Sequence, residues 1–327
     1  MGTPATRLAL MIDDPQGLAD EFLKEWFAPE PYVTAHTSGS TGEPKEIRLL
    51  KSDMLKSAEA TCRFFNIDSG SNMLLPLSPS YIAGKMMIVR AIVSGARLHV
   101  EPPSSQPMAS DYGTLDLVPI VPAQLAGILT NRLSGNIKNL LIGGAPLSSA
   151  EESLIAESGI KAWASYGMTE TCSHVALRDI TSRSDIYDML PGITASTDDR
   201  GCLIINAPEF SFRQLVTNDI AEVISPSRFR WIGRHDNVII SGGIKLHPEL
   251  IERQLAGLIN EPFYIIGRHS ERWGQEAVLY IEATSVDTDR LMPEIRKRLD
   301  RYSVPKEIIA VTRFARTDSG KIKRRIL

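Results

Sequence analysis

The chain has 327 residues, of which 43% are hydrophobic and 23% charged, and its formal net charge is −3. A chain of this length can bury a large core and is too long for one small domain, so we expect two domains. The small net charge excludes a general attraction to nucleic acid or to an anionic membrane surface. The cysteines Cys62, Cys172 and Cys202 are odd in number and widely spaced, which favours neither disulfides nor a zinc site and fits a reducing cytoplasm.

No apolar run approaches the length of a membrane span, because the stretch from Met86 to Val93 is interrupted by Arg90. No signal-peptide hydrophobic segment precedes the first acidic residues, Asp13 and Asp14. We therefore expect a cytoplasmic protein without membrane insertion.

The predicted elements alternate between helix and strand over the first half of the chain. An amphipathic helix opens at Pro15, with apolar residues including Phe22 and Trp26 at helical spacing, and ends at Pro29. After a strand-like segment, 46–50, further helices are predicted at 51–65, 84–93, 122–133 and 148–158, and strands at 72–77, 97–100, 115–121, 139–142 and 161–165. This alternation predicts an α/β domain with a mostly parallel sheet.

The pattern changes from Gly201 onward, where short strand-like segments predict a small antiparallel β subdomain that ends near Ile232. The remaining chain reads helix, strand, strand, helix at 248–258, 263–266, 277–282 and 289–299, which is typical of a small α+β domain. We predict a large N-terminal domain over 1–232 and a C-terminal domain over 233–327.

A hydroxyl-rich glycine loop lies near the front of the chain. Two glycines allow backbone N–H groups to approach an anion, hydroxyl groups add donors, and a lysine adds a positive charge. These phosphate-binding candidates are Thr37, Ser38, Gly39, Ser40, Thr41, Gly42 and Lys45. The loop differs from a mononucleotide P-loop because Pro44 separates Gly42 from Lys45 and a strand-like segment follows. A surface turn without a ligand is the alternative for this loop taken alone.

Four further segments follow the loop in order: Y-G-M-T-E-T at 166–171, T-N-D at 217–219, G-R-H-D at 233–236 and S-G-K-I at 319–322. Together with the loop they resemble the adenylate-forming acyl-CoA synthetase superfamily, which includes the luciferases and the peptide-synthetase adenylation domains. The resemblance extends from about Tyr32 to the end of the chain. It implies an ATP-dependent ligase with a mobile C-terminal domain, and it implies ATP and Mg²⁺ as cofactors and CoA as co-substrate.

The resemblance also implies roles for individual residues. Thr169 contacts the α-phosphate, Asp219 accepts hydrogen bonds from the ribose hydroxyls and Arg234 reaches the ribose. Lys321 acts as a positive charge in the adenylation transition state. Glu170, with hydroxyl support from Thr41 or Thr169, binds Mg²⁺. The remaining nucleotide contacts that it implies are Tyr166, Gly167 and Met168, with Gly143, Gly144, Ala145 and Pro146 beside the adenine.

The domain motion implied by the resemblance has its hinge at Asp236, with Ser241, Gly242 and Gly243 lining the thiol path of CoA. Alternatives stay open for three of these features. The segment 143–146 is also compatible with a plain strand-to-helix turn, and Arg234 with a hinge salt bridge. Lys321, with three nearby basic residues, is also compatible with a solvated basic tail or a nucleic-acid patch.

Within the superfamily, the chain looks most like the o-succinylbenzoate–CoA ligases of menaquinone biosynthesis. The segments that carry this likeness are 75–77, 81–85, 121–125 and 166–173. The substrate of those enzymes has a second carboxylate and a keto group, so its pocket requires a cation and hydroxyl donors. Lys85 is the favoured cation, with Tyr81, Ser173 and His174 as further candidates. The alternative for Lys85 is a helix-start lysine that faces solvent.

The chain departs from the family pattern in several places. Only about thirty residues precede the glycine loop, so we expect a shortened N-terminal domain. Tyr81 stands where relatives often have histidine, and Asn218 replaces the glycine of T-G-D. Cys202 replaces an acidic residue and Ala315 replaces a proline. None of these changes removes a charged residue to which the resemblance assigns a role in ATP chemistry.

Three interpretations follow. The first is an o-succinylbenzoate–CoA ligase, and the second is a superfamily enzyme for another acid or for a carrier-protein thiol. The third is a non-catalytic nucleotide-binding protein, which the retention of Lys321 disfavours. The expected partners are small molecules, namely a carboxylic acid, ATP and CoA, and a homo-oligomer is left open.

Overall fold

The computed structural model describes residues 11–36, 46–316 and 322–326, which form two compact units. The first unit contains the described residues up to Pro146, together with Leu154–Thr194 and Asn206–Gln214. The second contains Leu147–Ser153, Ala195–Ile205 and the described residues from Leu215 onward. The boundary at Gly233 lies inside the second unit, and the division into 1–232 and 233–327 with a hinge near Asp236 stays a prediction.

The helices are α1 Asp20–Phe27, α2 Lys51–Phe65, α3 Ile82–Ser94, α4 Leu125–Thr130, α5 Ser149–Ser158, α6 Pro248–Leu255 and α7 Thr288–Arg298. The strands of the first half are β1 Ile12–Asp13, β2 Tyr32–His36, β3 Glu46–Leu50, β4 Asn72–Leu75, β5 Arg97–Val100, β6 Val118–Ile120, β7 Leu140–Ile142, β8 Ala162–Gly167, β9 His174–Asp179 and β10 Ile186–Met189. The later strands are β11 Thr194–Thr197, β12 Cys202–Ala207, β13 Arg213–Ser225, β14 Arg228–Arg234, β15 Ile239–Ser241, β16 Ile244–Leu246, β17 Phe263–Ser270, β18 Gly274–Glu282 and β19 Glu307–Val311.

The first unit has the expected α/β architecture. Strands β1, β5 and β4 form a parallel sheet, and a second sheet contains β6, β7 and β8 in parallel order. Strands β9 and β10 continue that sheet in antiparallel pairings, while β2 and β3 form a separate antiparallel hairpin. The mostly parallel sheet predicted from the alternation of helix and strand is therefore confirmed.

Helices α2 and α3 pack against each other in this unit. Helix α2 buries Met54 and Ala58 and ends at Phe65, and the left-handed backbone of the next residue, Asn66, φ 54°, closes the last turn. Helix α3 is buried over most of its length and ends at Ser94, and Gly95 caps it with φ 76°. Gly84 is required near its start because a Cβ there would lie 2.3 Å from the Ser78 carbonyl oxygen. The packing of the two helices places one buried face of α3 against α2.

Some predicted bounds were wrong for identifiable reasons. The first helix begins at Asp20 instead of Pro15, because Gly17 turns the chain at φ 67° and the Asp14 carboxylate accepts the Ala19 N–H at 2.7 Å. The helix predicted over 122–133 is a short 3₁₀ turn followed by α4, which ends before Asn131. The Asn131 amide donates to two carbonyls of the preceding loop and its oxygen accepts the Leu133 N–H. These side-chain bonds compete with helix continuation.

The second unit is rich in strands, as predicted. Strands β11, β12, β13 and β14 are neighbours in that order, and β13 pairs with β14 in antiparallel register. The chain then forms a sheet of β16, β15, β18 and β17, with β19 added parallel to β18. Both faces of this sheet are covered, one by a cluster that includes Ile251 and Ile295 from α6 and α7 and the other by Tyr264, Tyr280 and Phe314. The α+β tail is confirmed, with longer strands than predicted.

None of the helices in the described part of the chain is long and apolar enough to cross a membrane. The three cysteines are buried and free.

Candidate active site

The predicted phosphate loop lies between two paired strands. Strands β2 and β3 are antiparallel, and His36 is the register partner of Glu46. The loop candidates Thr37, Ser38, Gly39, Ser40, Thr41, Gly42 and Lys45 lie outside the described residues. The strand after the loop is confirmed, so the segment differs from a P-loop, which runs from a strand directly into a helix.

The Y-G-M-T-E segment forms the carboxyl end of β8 and the turn after it. Thr171 Oγ1 accepts the Met168 N–H at 3.0 Å and donates to the Ser173 carbonyl at 2.6 Å, which closes the turn. A Cβ at Gly167 would lie 2.3 Å from the same carbonyl, so only glycine fits there. Thr169 is half-buried and Glu170 is exposed. The turn thus presents a hydroxyl and a carboxylate at the edge of the sheet.

The G-G-A-P segment follows β7, the parallel neighbour of β8. The Gly143 N–H donates to the Ile120 carbonyl at 3.1 Å, and a Cβ at Gly143 would lie 2.6 Å from Ser165 Oγ. Gly144 has φ 89°, in the region that favours glycine. The turn through Ala145 and Pro146 therefore leaves the same sheet edge as the Y-G-M-T-E turn. Ligands of α/β sheets bind outside the carboxyl ends of parallel strands, which is where both turns lie.

Tyr166 is half-buried beside this edge, and its ring meets Tyr187 edge-on with 5.9 Å between centroids. An aromatic ring at this position suits stacking on a purine base. The adenine contact nevertheless stays a prediction.

The T-N-D and G-R-H-D segments lie side by side in the second unit. Asp219 on β13 is the register partner of Arg234 on β14, and the two side chains form an ion pair at 3.5 Å. Trp231 Nε1 donates to Asp219 at 3.2 Å, and Arg234 also reaches Asp236 at 3.3 Å. A carboxylate accepts several hydrogen bonds at once, so Asp219 is suited to a vicinal diol. The salt bridge that sequence reasoning left as an alternative for Arg234 is present, and it joins the two predicted functional carboxylates.

The predicted thiol path occupies the turn between β15 and β16. Gly242 and Gly243 have φ values of 57° and 83°, which other residues rarely adopt. A Cβ at Gly242 would lie 2.9 Å from the Trp273 ring, and the Gly242 N–H donates to the Trp273 carbonyl at 2.8 Å. Ser241 pairs with Gly274 on β18. Lys321 lies outside the described residues.

A buried polar cluster lies between α2, α3 and the start of β9, and we call it the Arg90 cluster. Arg90 is 2% exposed, and its Nη2 donates to Ser173 Oγ at 2.9 Å. Ser57 Oγ lies 3.2 Å from the same hydroxyl, and His174 Nε2 lies 3.1 Å from Thr61 Oγ1. The cluster consists of Ser57, Thr61, Arg90, Ser173 and His174. The structure therefore brings together two predicted substrate residues, Ser173 and His174, with a cation that sequence reasoning did not select.

The charge of Arg90 has no carboxylate partner in the part of the chain that the structure describes. Its Nε has no hydrogen-bond partner, and its Nη1 lies 3.4 Å from Met87 Sδ. Burial lowers the pKa of Arg90 to about 10. Since an uncompensated buried charge is unfavourable by several kcal/mol, about 3–5 when a partner is removed, this guanidinium is suited to an anionic ligand.

Lys85, the cation that sequence reasoning favoured, has a partner within the protein. It is buried, its Nζ forms an ion pair with Glu25 at 3.0 Å, and it donates to the Thr34 carbonyl at 2.7 Å. The alternative of a solvent-facing lysine was wrong, because the ammonium also lies 5.2 Å from the Phe22 ring centroid. Tyr81 is 50% exposed at the residue before α3. A substrate contact by either residue stays a prediction.

One signal in the sequence pointed to Arg90. The stretch that forms α3 is mostly apolar and has two charged residues, Lys85 and Arg90, and a charge inside an apolar helix is normally paired or functional. Helical spacing alone did not show which of the two cations would meet a carboxylate, because Glu25 lies far away in the sequence.

The predicted magnesium ligands are Glu170 and Thr41, of which Thr41 lies outside the described residues. Among the described residues, no group of three or more His, Cys, Asp or Glu side chains could hold a metal ion. Mg²⁺ often uses only one or two protein carboxylates and completes its shell with phosphate oxygens and water. The exposed carboxylate of Glu170 fits that mode of binding.

We expect His174 to make stability pH-dependent. Burial, and secondarily the charge of Arg90, lower the pKa of His174 well below its usual value. The unfolded chain therefore takes up the proton first as the pH falls, and the free energy of unfolding should decline below about pH 6.5, by at most about 1.4 kcal/mol per pH unit. Urea denaturation of wild type and His174→Gln at several pH values measures the difference. An equally steep decline in both proteins would contradict this assignment.

Comparisons with known proteins identify the family of the chain. A family profile described as AMP-binding enzyme matches residues 11–197. An acyl-CoA synthetase (AMP-forming)/AMP-acid ligase II-like protein from Dyadobacter fermentans is 37% identical, with a TM-score of 0.63, over 93% of this chain and 91% of that chain. The 2-succinylbenzoate–CoA ligase of Listeria monocytogenes is 25% identical over 336 residues, which cover 93% of this chain and 71% of that protein.

A similar fold occurs in o-succinylbenzoate CoA synthetase from Bacillus subtilis, solved in complex with the acyl-adenylate intermediate OSB-AMP. The TM-score is 0.78 at 22% identity, over 89% of this chain and 67% of that chain. This likeness concerns the fold. Because the family profile matches more than half of the sequence, the chain belongs to the AMP-binding enzyme family.

Proposed function

We propose that the protein is a cytoplasmic ATP-dependent acid–CoA ligase that activates o-succinylbenzoate for menaquinone biosynthesis. In the first half-reaction, a substrate carboxylate oxygen attacks the α-phosphorus of ATP and pyrophosphate leaves, giving the acyl-adenylate. In the second, the thiol of CoA attacks the acyl carbonyl carbon and AMP leaves. Both steps depend on positioning and charge stabilisation, and neither needs a protein nucleophile.

The observation that favours this acid is the buried Arg90 guanidinium. It donates to Ser173, four residues beyond Thr169, and the described residues offer it no carboxylate. An acid that carries a second carboxylate supplies the missing anion and forms a charge-assisted hydrogen bond. The 2-succinylbenzoate–CoA ligase of Listeria monocytogenes is named for such an acid. An acid with a single carboxylate leaves this charge uncompensated.

Four side chains bind the nucleotide in this proposal. Thr169 donates its hydroxyl to the α-phosphate, and Tyr166 stacks on the adenine next to the 143–146 turn. Asp219 accepts hydrogen bonds from the ribose hydroxyls, and Arg234 supports it from the neighbouring strand. Their local geometry supports these roles, since two of them sit at the carboxyl edge of parallel strands and two are paired across a hairpin.

Magnesium, when bound with ATP, neutralises phosphate charge, and Glu170 is the residue that we propose to hold it. Lys321 supplies a further positive charge that stabilises the attacking carboxylate and the α-phosphate in the transition state. A lysine suits this role because its ammonium is a compact point charge on a long flexible stem. For the second half-reaction, the open space at Gly243 leaves room for the CoA thiol arm.

A competition experiment tests the proposed function. Purified protein is mixed with o-succinylbenzoate, benzoate and octanoate together with ATP, Mg²⁺ and CoA, and the thioesters are identified by mass spectrometry. We expect o-succinylbenzoyl-CoA as the product. A different thioester would support the ligase chemistry but show that the substrate is another acid. The absence of any adenylate or thioester would favour a nucleotide-binding protein without catalytic activity.

A further inference from the structure

Two short segments lie on either side of residues 317–321 in the sequence, and we call residues 315–316 and 322–325 the stem. Arg316 and Ile322 form an antiparallel bridge, and the Lys323 N–H donates to the Ala315 carbonyl at 2.8 Å. Ile322 packs against the buried aromatic face of the sheet. The stem thus holds together the described residues on both sides of the segment 317–321.

A double arginine–glutamate contact holds the second strand of the stem. Arg324 Nη1 and Nη2 each lie 2.7 Å from one carboxylate oxygen of Glu252 on α6, and the side chains are 26% and 15% exposed. Glu252 also accepts the Ile265 N–H at 2.7 Å, and Arg324 donates to the Ile265 carbonyl. A bidentate pair with these extra bonds fixes the direction as well as the distance of a side chain.

Other contacts hold the stem in the same place. Arg316 forms a second bidentate pair, with Glu282 at the end of β18, at 2.5 and 3.2 Å. Tyr264 donates its hydroxyl to the Arg325 carbonyl at 2.8 Å. The stem is therefore attached to β17, β18 and α6 by side chains on both of its strands.

The Arg324 contact also reaches the predicted hinge segment. Arg324 lies 3.9 Å from Glu249, one turn before Glu252 on α6. Glu249 accepts a hydrogen bond from Asn237 at 2.5 Å, and its carboxylate occupies the space where a Cβ at Gly233 would lie. The same group of charges thus touches the stem and the segment around Asp236.

From these contacts we propose that Arg324 and Glu252 are positioning residues for the adenylation step, because their bidentate pair fixes the described residues that directly follow Lys321 in the chain. The inference rests on the proposed function. Arg324 follows Lys321 by three residues and does not touch substrate in this account. Loss of the pair should impair the half-reaction that uses Lys321, while transfer of a preformed acyl group to CoA proceeds as before.

The test uses a double variant, Arg324→Met with Glu252→Met. Removing both charges avoids the unpaired buried carboxylate that a single substitution leaves, so the double variant should fold. We expect its rate of pyrophosphate release with acid and ATP to fall on the order of 100-fold. Its rate of thioester formation from chemically prepared acyl-adenylate and CoA should stay at the wild-type value. Arg324→Lys keeps the positive charge but loses the bidentate geometry. Its rate of pyrophosphate release should lie between those of the wild type and the double variant.

The matched control is Arg268→Ala, which removes the ion pairs of Arg268 with Glu276 and Glu307 on the same sheet. It should change neither half-reaction. Equal losses of both rates in the double variant, or no loss of either, would overturn the proposal.

If the wild-type protein adenylates no acid, the proposed function is refuted. The role of the Arg324–Glu252 pair is then tested by hydrogen exchange of the Lys323 amide. Faster exchange in the double variant than in Arg268→Ala supports the positioning role, and unchanged exchange overturns it.

Discussion

Replacing Lys321 with alanine is expected to lower the rate of pyrophosphate release by on the order of 100- to 1000-fold, the range observed when one preorganised charge or donor is removed from a transition state. The physical reason is that the attacking carboxylate and the α-phosphate are both anionic, so their approach requires a cation in a site that excludes water. Ground-state binding of AMP depends on Thr169, Tyr166 and Asp219 in our proposal and should change little. Isothermal titration with AMP measures that binding separately.

Lys323→Ala is the matched control, since it removes the same charge two residues along the chain. Lys323 is exposed, and its backbone rather than its ammonium holds the stem. If both substitutions lowered the rate alike, the basic residues 321–325 would act only as a charged tail. Retention of full activity by Lys321→Ala would leave the non-catalytic interpretation of this chain as the better one.

The second large effect is expected from Arg90→Met. We expect kcat/KM for o-succinylbenzoate to fall by on the order of 100- to 1000-fold, about 3–4 kcal/mol of transition-state binding, because the second carboxylate would then be buried without its cation. The fall should be much smaller for 4-oxo-4-phenylbutanoate, which lacks only the ring carboxylate. The ratio of the two kcat/KM values measures the contribution of that carboxylate.

Stability separates this role from a structural one. The described part of the chain offers Arg90 no carboxylate, so its replacement by methionine removes an uncompensated charge from the interior. We therefore expect the free energy of unfolding to stay the same or to rise. A loss of stability together with an unchanged ratio for the two acids would show that Arg90 serves packing alone.

Lys85→Met distinguishes the two buried cations of α3. It leaves Glu25 without its partner, so we expect destabilisation with little change in the preference between the two acids. The opposite result, a loss of preference in Lys85→Met and not in Arg90→Met, would establish the cation favoured by sequence reasoning.

The sequence did not indicate the partners of the two cations of α3, Lys85 and Arg90. Both lie on the buried part of α3, and the residue pattern identifies them as charges that need partners. Glu25 and Ser173 are 60 and 83 residues away from Lys85 and Arg90, and nothing local indicates which cation meets which group. A contact at such a separation depends on how the helices and strands pack.

Local pattern alone determined the order and type of most elements, the parallel arrangement of the early strands and the α+β tail, because periodicity and turn residues act over a few neighbouring positions. The motifs likewise indicate the family, because each is a short run of neighbouring residues.

Only the tertiary structure decided the rest. The end of α4 before Asn131 depends on loop carbonyls more than 20 residues earlier in the chain, and the bidentate contact of Arg324 depends on a glutamate 72 residues earlier. The uncompensated charge of Arg90 likewise emerged from packing, because burial and the absence of a nearby carboxylate in the described residues are properties of three-dimensional neighbours.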